Sequence, residues 1–162
     1  EIHGMTIERS SSLVAVLPFV AAIATPLSGI IVSKSGIRRP ILIMAGLTFP
    51  LLAFGCFMMT STILITICII GLGSMFALYI VTILTIPMEL PGIDASKVGI
   101  VTAGALTIGN GTAVLSPIFI GSFTDITGSY IPALSVVAIM PLLMIVSGLF
   151  LPETGKRVKV TN

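Results

Sequence analysis

Residues 63–86 read I-L-I-T-I-C-I-I-G-L-G-S-M-F-A-L-Y-I-V-T-I-L-T-I, a run of 24 residues without Asp, Glu, Lys, Arg or His. A helix that crosses the hydrocarbon core of a bilayer, about 30 Å thick, needs about 20 predominantly apolar residues. Strands of a membrane barrel are about 10 residues long and alternate in polarity, whereas this run is continuously apolar. A helix also satisfies every backbone polar group internally, which hydrocarbon demands. The run predicts a transmembrane helix.

Charges and turn residues separate this run from four others of similar length. Thr60, Ser61 and Thr62 precede it, and the polar stretch 87–97 follows it. The sequence therefore predicts an all-α membrane helix bundle that forms a single membrane domain and carries a tail at 152–162. The five predicted spans cover residues 11–32, 40–59, 63–86, 98–123 and 131–151.

The composition agrees with a polytopic membrane protein. Apolar residues make up 56% of the chain, charged residues only 9%, and the mean hydropathy is +1.20. A soluble domain carries about 25% charged residues. A net charge of +2 without a basic face does not indicate a nucleic-acid partner. Cys56 and Cys68 fall within apolar runs and are predicted to be packing thiols rather than a disulfide or a metal pair.

The sequence does not predict an enzyme. It contains one histidine, His3, and no convincing set of nucleophile, base and acid. We predict neither a cofactor nor a metal site. The chain begins at Glu1 without an initiator methionine, so we interpret it as a fragment of a longer protein.

The basic residues predict the orientation in the membrane. With five antiparallel spans, the loop at 34–39, the loop at 87–97 and the tail share one face, and Arg9 lies on the other. Positive charge accumulates on the cytoplasmic side of membrane proteins, so the C-terminus is predicted to be cytoplasmic. The shared face carries seven of the eight basic residues: Lys34, Arg38, Arg39, Lys97, Lys156, Arg157 and Lys159.

The loop between the first two spans, residues 29–39, reads G-I-I-V-S-K-S-G-I-R-R. One interpretation is ordinary anchoring by positive charge. The other is a resemblance to the G-x-x-x-D-R/K-x-G-x-R/K-R/K signature of the major facilitator superfamily, in which Ser33 replaces the acidic residue. In that family the signature lies in the cytoplasmic loop between the second and third helices of each half, and the copy in the second half is usually degraded. The residues that match it are Gly29, Lys34, Gly36, Arg38 and Arg39.

The fourth span carries small residues and a proline at intervals of four, which places them in one stripe along a helix. Such stripes allow helix backbones to pack closely in lipid, and the proline removes a backbone hydrogen bond. The stripe therefore predicts either static packing or a pliable, gating helix. Its members are Ala105, Gly109, Ala113, Pro117 and Gly121.

Three further segments are similar to bacterial facilitator transporters: P-M-E-L-P-G-I-D at 87–94, S-P-I-F-I-G-S-F-T-D-I-T-G-S-Y at 116–130, and F-L-P-E-T-G-K at 150–156. The resemblance implies helices eight to twelve of a twelve-helix transporter in a bacterial inner membrane. Its partners would then be the lipid bilayer, the absent N-terminal half, one further helix and a small solute. Helices two to six of an N-terminal half are the weaker alternative.

Transporters of this kind hold their solute near the bilayer midplane between two halves and alternate access by rocking. By that resemblance, the first, third and fourth spans would line the cavity. An amide in mid-membrane is costly without a partner, which makes Asn110 the foremost candidate, and its amide could bond either the solute or a neighbouring helix. The polar residues on these spans that could contact solute are Thr25, Ser74, Tyr79, Thr107 and Asn110.

Two functions remain open at the level of the sequence. The first is secondary active transport of a small solute by alternating access. The second is a scaffold or sensor subunit without transport. The loop signature and the Gly/Pro stripe favour transport, because a scaffold needs neither. In a transporter the loop cations would form a latch, and Glu153 is one possible acceptor on the same face.

Overall fold

The computed structural model describes residues 7–90 and 92–154. These residues form an all-α bundle, as predicted, and contain no β-strand. The predicted basic tail, with Lys156, Arg157 and Lys159, lies outside the described residues. The helices are α1 (Ile7–Ser35), α2 (Arg39–Met58), α3 (Thr62–Glu89), α4 (Ala95–Thr127), α5 (Tyr130–Ile139) and α6 (Leu143–Phe150), with a 3₁₀ turn at Met140–Leu142 between the last two.

Five helical segments are long and apolar enough to cross a membrane. They are Ser10–Ser35, Arg39–Met58, Thr62–Glu89, Ala95–Thr127 and Tyr130–Phe150. Most extend beyond the apolar runs by a few residues at one or both ends, because a helix continues its backbone hydrogen bonds into the polar flanks. The stretch 87–97, interpreted as a loop, thus contributes the last turn of α3 and the first turn of α4.

The fifth span is interrupted by the 3₁₀ turn at Met140–Leu142. Its central residue is Pro141, which lacks a backbone N–H and cannot continue the i→i−4 ladder. The sequence predicted a single span at 131–151 and gave no interruption within it. The proline explains why the last span consists of two short helices.

The centre of the bundle is α3, which packs against α1 on one side and α2 on the other. Glycine makes the closest of these approaches possible. A Cβ at Gly73 would lie 2.8 Å from the Leu17 carbonyl oxygen of α1. A Cβ at Gly46 of α2 would lie 2.8 Å from Ile145 Cγ1 of α6. These two glycines, neither of them singled out in the sequence, set the spacing between the packed helices.

α4 is the least enclosed helix and has no buried residue. It contacts α5 and, over a short stretch, α3. A Cβ added at Gly109 or Gly121 would meet no atom of the described chain within 4 Å. Among the described residues, no close helix contact is made at these two glycines of the stripe. The stripe's predicted packing or gating role requires a partner beyond the described residues and stays a prediction.

Candidate functional site

A turn of only three residues joins α1 to α2 and places the loop motif at one end of the bundle. Gly36 has a positive φ of 59°, a left-handed conformation that glycine adopts without strain. The chain thereby reverses directly after Ser35 and brings Arg38 beneath the end of α1. Gly29 acts differently from Gly36, because a Cβ there would meet nothing within 4 Å. Gly29 therefore permits no close contact with another helix of the described chain.

Arg38 is turned inward at this end of the bundle and is only 3% exposed. Its Nη2 lies 2.6 Å from Glu89 Oε1, and its Nε donates to Glu89 Oε2 at 2.9 Å. Its Nη1 donates to the Val32 carbonyl. A bidentate guanidinium–carboxylate pair is among the strongest side-chain contacts in proteins. One side chain of α2 thus binds the ends of both α1 and α3.

Glu153, in the segment after α6, contacts the same motif through the backbone. One carboxylate oxygen accepts the N–H of Arg38 at 2.6 Å, and the other accepts the N–H of Arg39 at 3.2 Å. The first N–H groups of a helix lack an intrahelical partner, and negative charge is favourable there. Glu153 therefore caps α2. The acceptor of the Arg38 guanidinium is Glu89, a residue that sequence reasoning missed.

We call Arg38, Glu89, Glu153 and Thr154 the Arg38 cluster. The Thr154 hydroxyl completes it by donating to Glu89 Oε2 at 3.4 Å. The cluster joins segments that are far apart in the chain: the ends of α1 and α3, the start of α2 and the residues after α6. These contacts therefore connect four segments at one end of the bundle.

The other cations near this end remain outside the cluster. The side chain of Lys34 is exposed, and Arg39 contacts Glu153 through its backbone N–H. Lys97 pairs with Asp94 at 3.6 Å in an exposed position, where ion pairs contribute little. Ser33 donates to the carbonyl of Ile30 in its own helix. Within the described residues, Arg38 alone of the motif's cations forms a buried ion pair.

A cavity of about 330 Å³ opens between α3 and α4. Its wall is mostly apolar, and Phe76 contributes an aromatic face. The polar residues that line it are Tyr79, Thr102 and Asn110. The ring of Tyr79 stands edge-on to Phe49 of α2, with centroids 6.3 Å apart, so the packing of α2 orients it. Three stripe residues also line the cavity: Ala105, Gly109 and Ala113.

Two of the five predicted solute contacts, Tyr79 and Asn110, meet at this cavity. The other three do not line it. The Thr25 hydroxyl donates to the Ala21 carbonyl at 2.7 Å, and the Ser74 hydroxyl donates to the Ile70 carbonyl at 2.9 Å. Each hydroxyl is thus satisfied by its own helix. Thr107 is exposed on another face of α4.

The structure adds Glu89 and Thr102 to the residues that the sequence indicated. A signal for Glu89 was present: Ser33 stands where the loop signature has an acid, so a buried cation needed a carboxylate from elsewhere on the same face. Thr102 lies two turns before Asn110 on α4, which places both on one helix face. No comparable signal distinguished Thr102 from the other threonines of the spans.

Comparison of the chain with protein-family models, with curated proteins and with solved structures gives no match. The superfamily resemblance accordingly remains an expectation from the motifs. The Arg38 cluster and the α3–α4 cavity are the two features from which a function can be argued.

Proposed function

We propose that this chain forms part of a secondary active transporter that moves a small solute across the membrane by alternating access. In this proposal it supplies helices eight to twelve of a major-facilitator-type protein. A further helix and an N-terminal half complete the pathway. The observation that carries the proposal is the burial of Arg38 in the cluster.

Topology alone does not require such burial. Positive-inside anchoring needs a cation near the headgroups, and an exposed side chain such as Lys34 suffices for that. The Arg38 guanidinium is instead buried, where it makes a bidentate contact with Glu89 and donates to a carbonyl of α1. Removing a cation from water is costly unless its partners are well placed. A buried clamp that joins several helix ends supports a body that moves as a unit.

The α3–α4 cavity provides the second support. α4 contains 33 residues, which corresponds to a length of about 50 Å at about 1.5 Å per residue. Asn110 is near the middle of that length. A transporter holds its solute near the midplane, and the cavity presents hydrogen-bonding groups at that depth.

The proposal includes a sidedness. The end with the Arg38 cluster faces the cytoplasm, and so does the C-terminal tail. The membrane is the inner membrane of a bacterial cell. The basic residues of the loops and tail support this orientation.

Two-sided labelling tests alternating access without knowledge of the solute. Cys56 and Cys68 are replaced by alanine in the complete transporter, and Ala105→Cys, which lies in the cavity wall, supplies a single thiol. A membrane-impermeant maleimide is then applied to right-side-out and to inside-out vesicles. Alternating access predicts labelling from both sides, because the cavity opens to each in turn.

The matched control is Leu51→Cys on the exposed face of α2, a span that the proposal does not place at the cavity. It is expected to resist the reagent from both sides, because in this proposal that face contacts lipid. Labelling of Ala105→Cys from only one side, or from neither, would favour the scaffold or sensor function over transport.

A further inference from the structure

We infer that the α3–α4 cavity takes an uncharged solute with a planar, hydrogen-bonding polar group on a compact apolar body. This inference rests on the proposed function and specifies the class of solute for the same site. The observation that supports it is that the polar groups of the cavity wall have no hydrogen-bond partner among the described residues.

These polar groups are free to bind. Most hydroxyls of the spans donate to a carbonyl of their own helix, as those of Thr82, Thr112 and Thr124 do. Tyr79, Thr102 and Asn110 form no hydrogen bond with the described residues. All three line one cavity. Polar groups without a partner in the wall of a mostly apolar cavity are typical of a ligand site.

The chemistry of the three groups defines the polar part of the solute. The Asn110 amide offers two donors and an acceptor, and the hydroxyls of Tyr79 and Thr102 each donate and accept. A carboxamide, lactam or similar planar group can accept and donate in the same plane and so match the Asn110 amide. An acyl chain of a lipid could fill the space but would leave the amide without a partner.

The remaining wall defines the body of the solute. Phe76 and Tyr79 present aromatic surface, and Ile83 and Leu84 present aliphatic surface. Aromatic rings pack edge-to-face or offset on such walls. A cavity of about 330 Å³ lies at the lower end of the range for small-molecule sites, about 300–1,000 Å³. A single substituted ring fits this volume.

Charge is disfavoured by the same wall. The charged groups of the Arg38 cluster lie at the end of the bundle, and the described lining contains none. An ionised ligand would lose its hydration without gaining an opposite charge from this half. The site should therefore discriminate between molecules of the same shape that differ only in charge.

Three nearly isosteric probes test this discrimination: benzamide, benzoate and benzamidinium. The chain is reconstituted in lipid nanodiscs, and saturation-transfer NMR measures binding of each probe at millimolar concentration. Empty nanodiscs give the contribution of partition into lipid. Benzamide is expected to bind at least about fivefold more strongly than either charged probe, which is the order of one well-formed hydrogen bond.

Variants then place the binding at the cavity. Asn110→Leu preserves size and removes the amide, and is expected to weaken benzamide binding about fivefold or more. Thr107→Val, on the same helix but away from the cavity, is the matched control and should bind like wild type. Tyr79→Phe is expected to weaken binding to a smaller extent, because it removes one of several hydrogen-bonding groups.

Two results would overturn the inference: equal binding of a charged probe, or benzamide binding that Asn110→Leu leaves unchanged. Absence of binding while Ala105→Cys is still labelled from both sides would reject the solute class and leave alternating access standing. Benzamide binding at the cavity combined with labelling of Ala105→Cys from one side only would support the solute class and reject alternating access. The site would then exist on a protein that does not transport.

Discussion

Arg38 and Arg39 are adjacent and chemically identical, yet the structure gives them different tasks. The Arg38 guanidinium binds Glu89 and a carbonyl of α1. Arg39 contributes its backbone N–H to Glu153. A substitution that preserves positive charge should therefore separate the two positions. The pair thus provides its own internal control.

The first prediction concerns Arg38→Lys. An ammonium is a point charge and cannot reproduce the fork that contacts both carboxylate oxygens, so we expect a loss of about 1–3 kcal/mol in unfolding free energy. Thermal unfolding in mild detergent measures it. In the transporter, the same variant should change the ratio of labelling from the two sides at Ala105→Cys.

Arg39→Lys is the control for this experiment, and its thermal midpoint should match wild type, because the backbone contact is retained. From the sequence, both arginines were expected to form the latch. The contacts in the structure favour Arg38 alone for this role. If both variants behave like wild type, the motif is a topology anchor only.

A second prediction compares the two glutamates of the cluster. Glu89→Gln leaves the buried Arg38 without its charged partner, but the Glu89 side chain is 24% exposed, so the cost should be below the value of about 3–5 kcal/mol for a fully buried pair and above that of a helix cap. Glu153→Gln retains an oxygen that can cap α2, so its cost should resemble the loss of a helix cap, about 1 kcal/mol. Unfolding with an increasing mole fraction of a denaturing detergent measures which of the two variants loses more stability. A larger loss for Glu153→Gln would show that the cap, rather than the ion pair, holds this end together.

At the scale of the helices, close packing depends on glycines that the sequence did not distinguish. The stripe on α4 is regular, whereas Gly46 and Gly73 belong to no repeated pattern. Periodicity reveals which residues share a face of a helix, but the face that meets a neighbour is decided by tertiary packing. For that reason the lengths and number of the spans were predictable, and the contacting glycines were not.

The same limit applies to the site. Apolarity and charge located the spans and the end that carries Arg38. They did not reveal that Glu89, separated from Arg38 by 51 positions, would be its partner. Tyr79 and Asn110 were predicted from their polarity at mid-span, and they do share a cavity. Thr25 and Ser74 were predicted by the same rule, but their short hydroxyl side chains bond to carbonyls of the preceding turn of their own helices.

A third prediction contrasts Gly73→Leu with Gly109→Leu. At Gly73 the new side chain would meet a backbone oxygen of α1 at 2.8 Å, which cannot rotate away, and overpacking costs about 1–3 kcal/mol. At Gly109 the added atoms enter open space. The midpoint temperature of thermal unfolding in detergent should therefore fall for Gly73→Leu and remain near that of wild type for Gly109→Leu. Equal losses would mean that α4 packs more tightly than the structure shows.

For the whole molecule, the proposed pathway between two halves has a direct consequence. The residues that the structure describes form five helical segments of spanning length, fewer than the six of one half in the family that the chain resembles. We therefore expect the chain alone, in liposomes, to give no saturable uptake of a solute that the complete transporter carries. Saturable uptake by the chain alone would contradict the half-transporter proposal, unless crosslinking showed that two copies rebuild a cavity.

The number of membrane crossings between two serines predicts whether they lie on the same side of the membrane. Ser35 ends α1, and Ser129 is the N-cap of α5. Three spans, α2, α3 and α4, lie between them, and an odd number of crossings places two positions on opposite sides of the membrane. In the proposed orientation, which rests on the basic residues, Ser35 lies on the cytoplasmic side.

The last prediction is that Ser35→Cys and Ser129→Cys, each in a background without Cys56 and Cys68, react with an impermeant maleimide from opposite sides. Ser129→Cys should be labelled in intact cells, and Ser35→Cys only in inside-out vesicles. Labelling of both from one side requires an even number of crossings between them, so one of α2, α3 and α4 would not span the bilayer. Opposite sides with the two positions exchanged would retain the five spans and invert the protein. The Arg38 cluster would then lie outside the cell, and the charge argument for its orientation would be wrong.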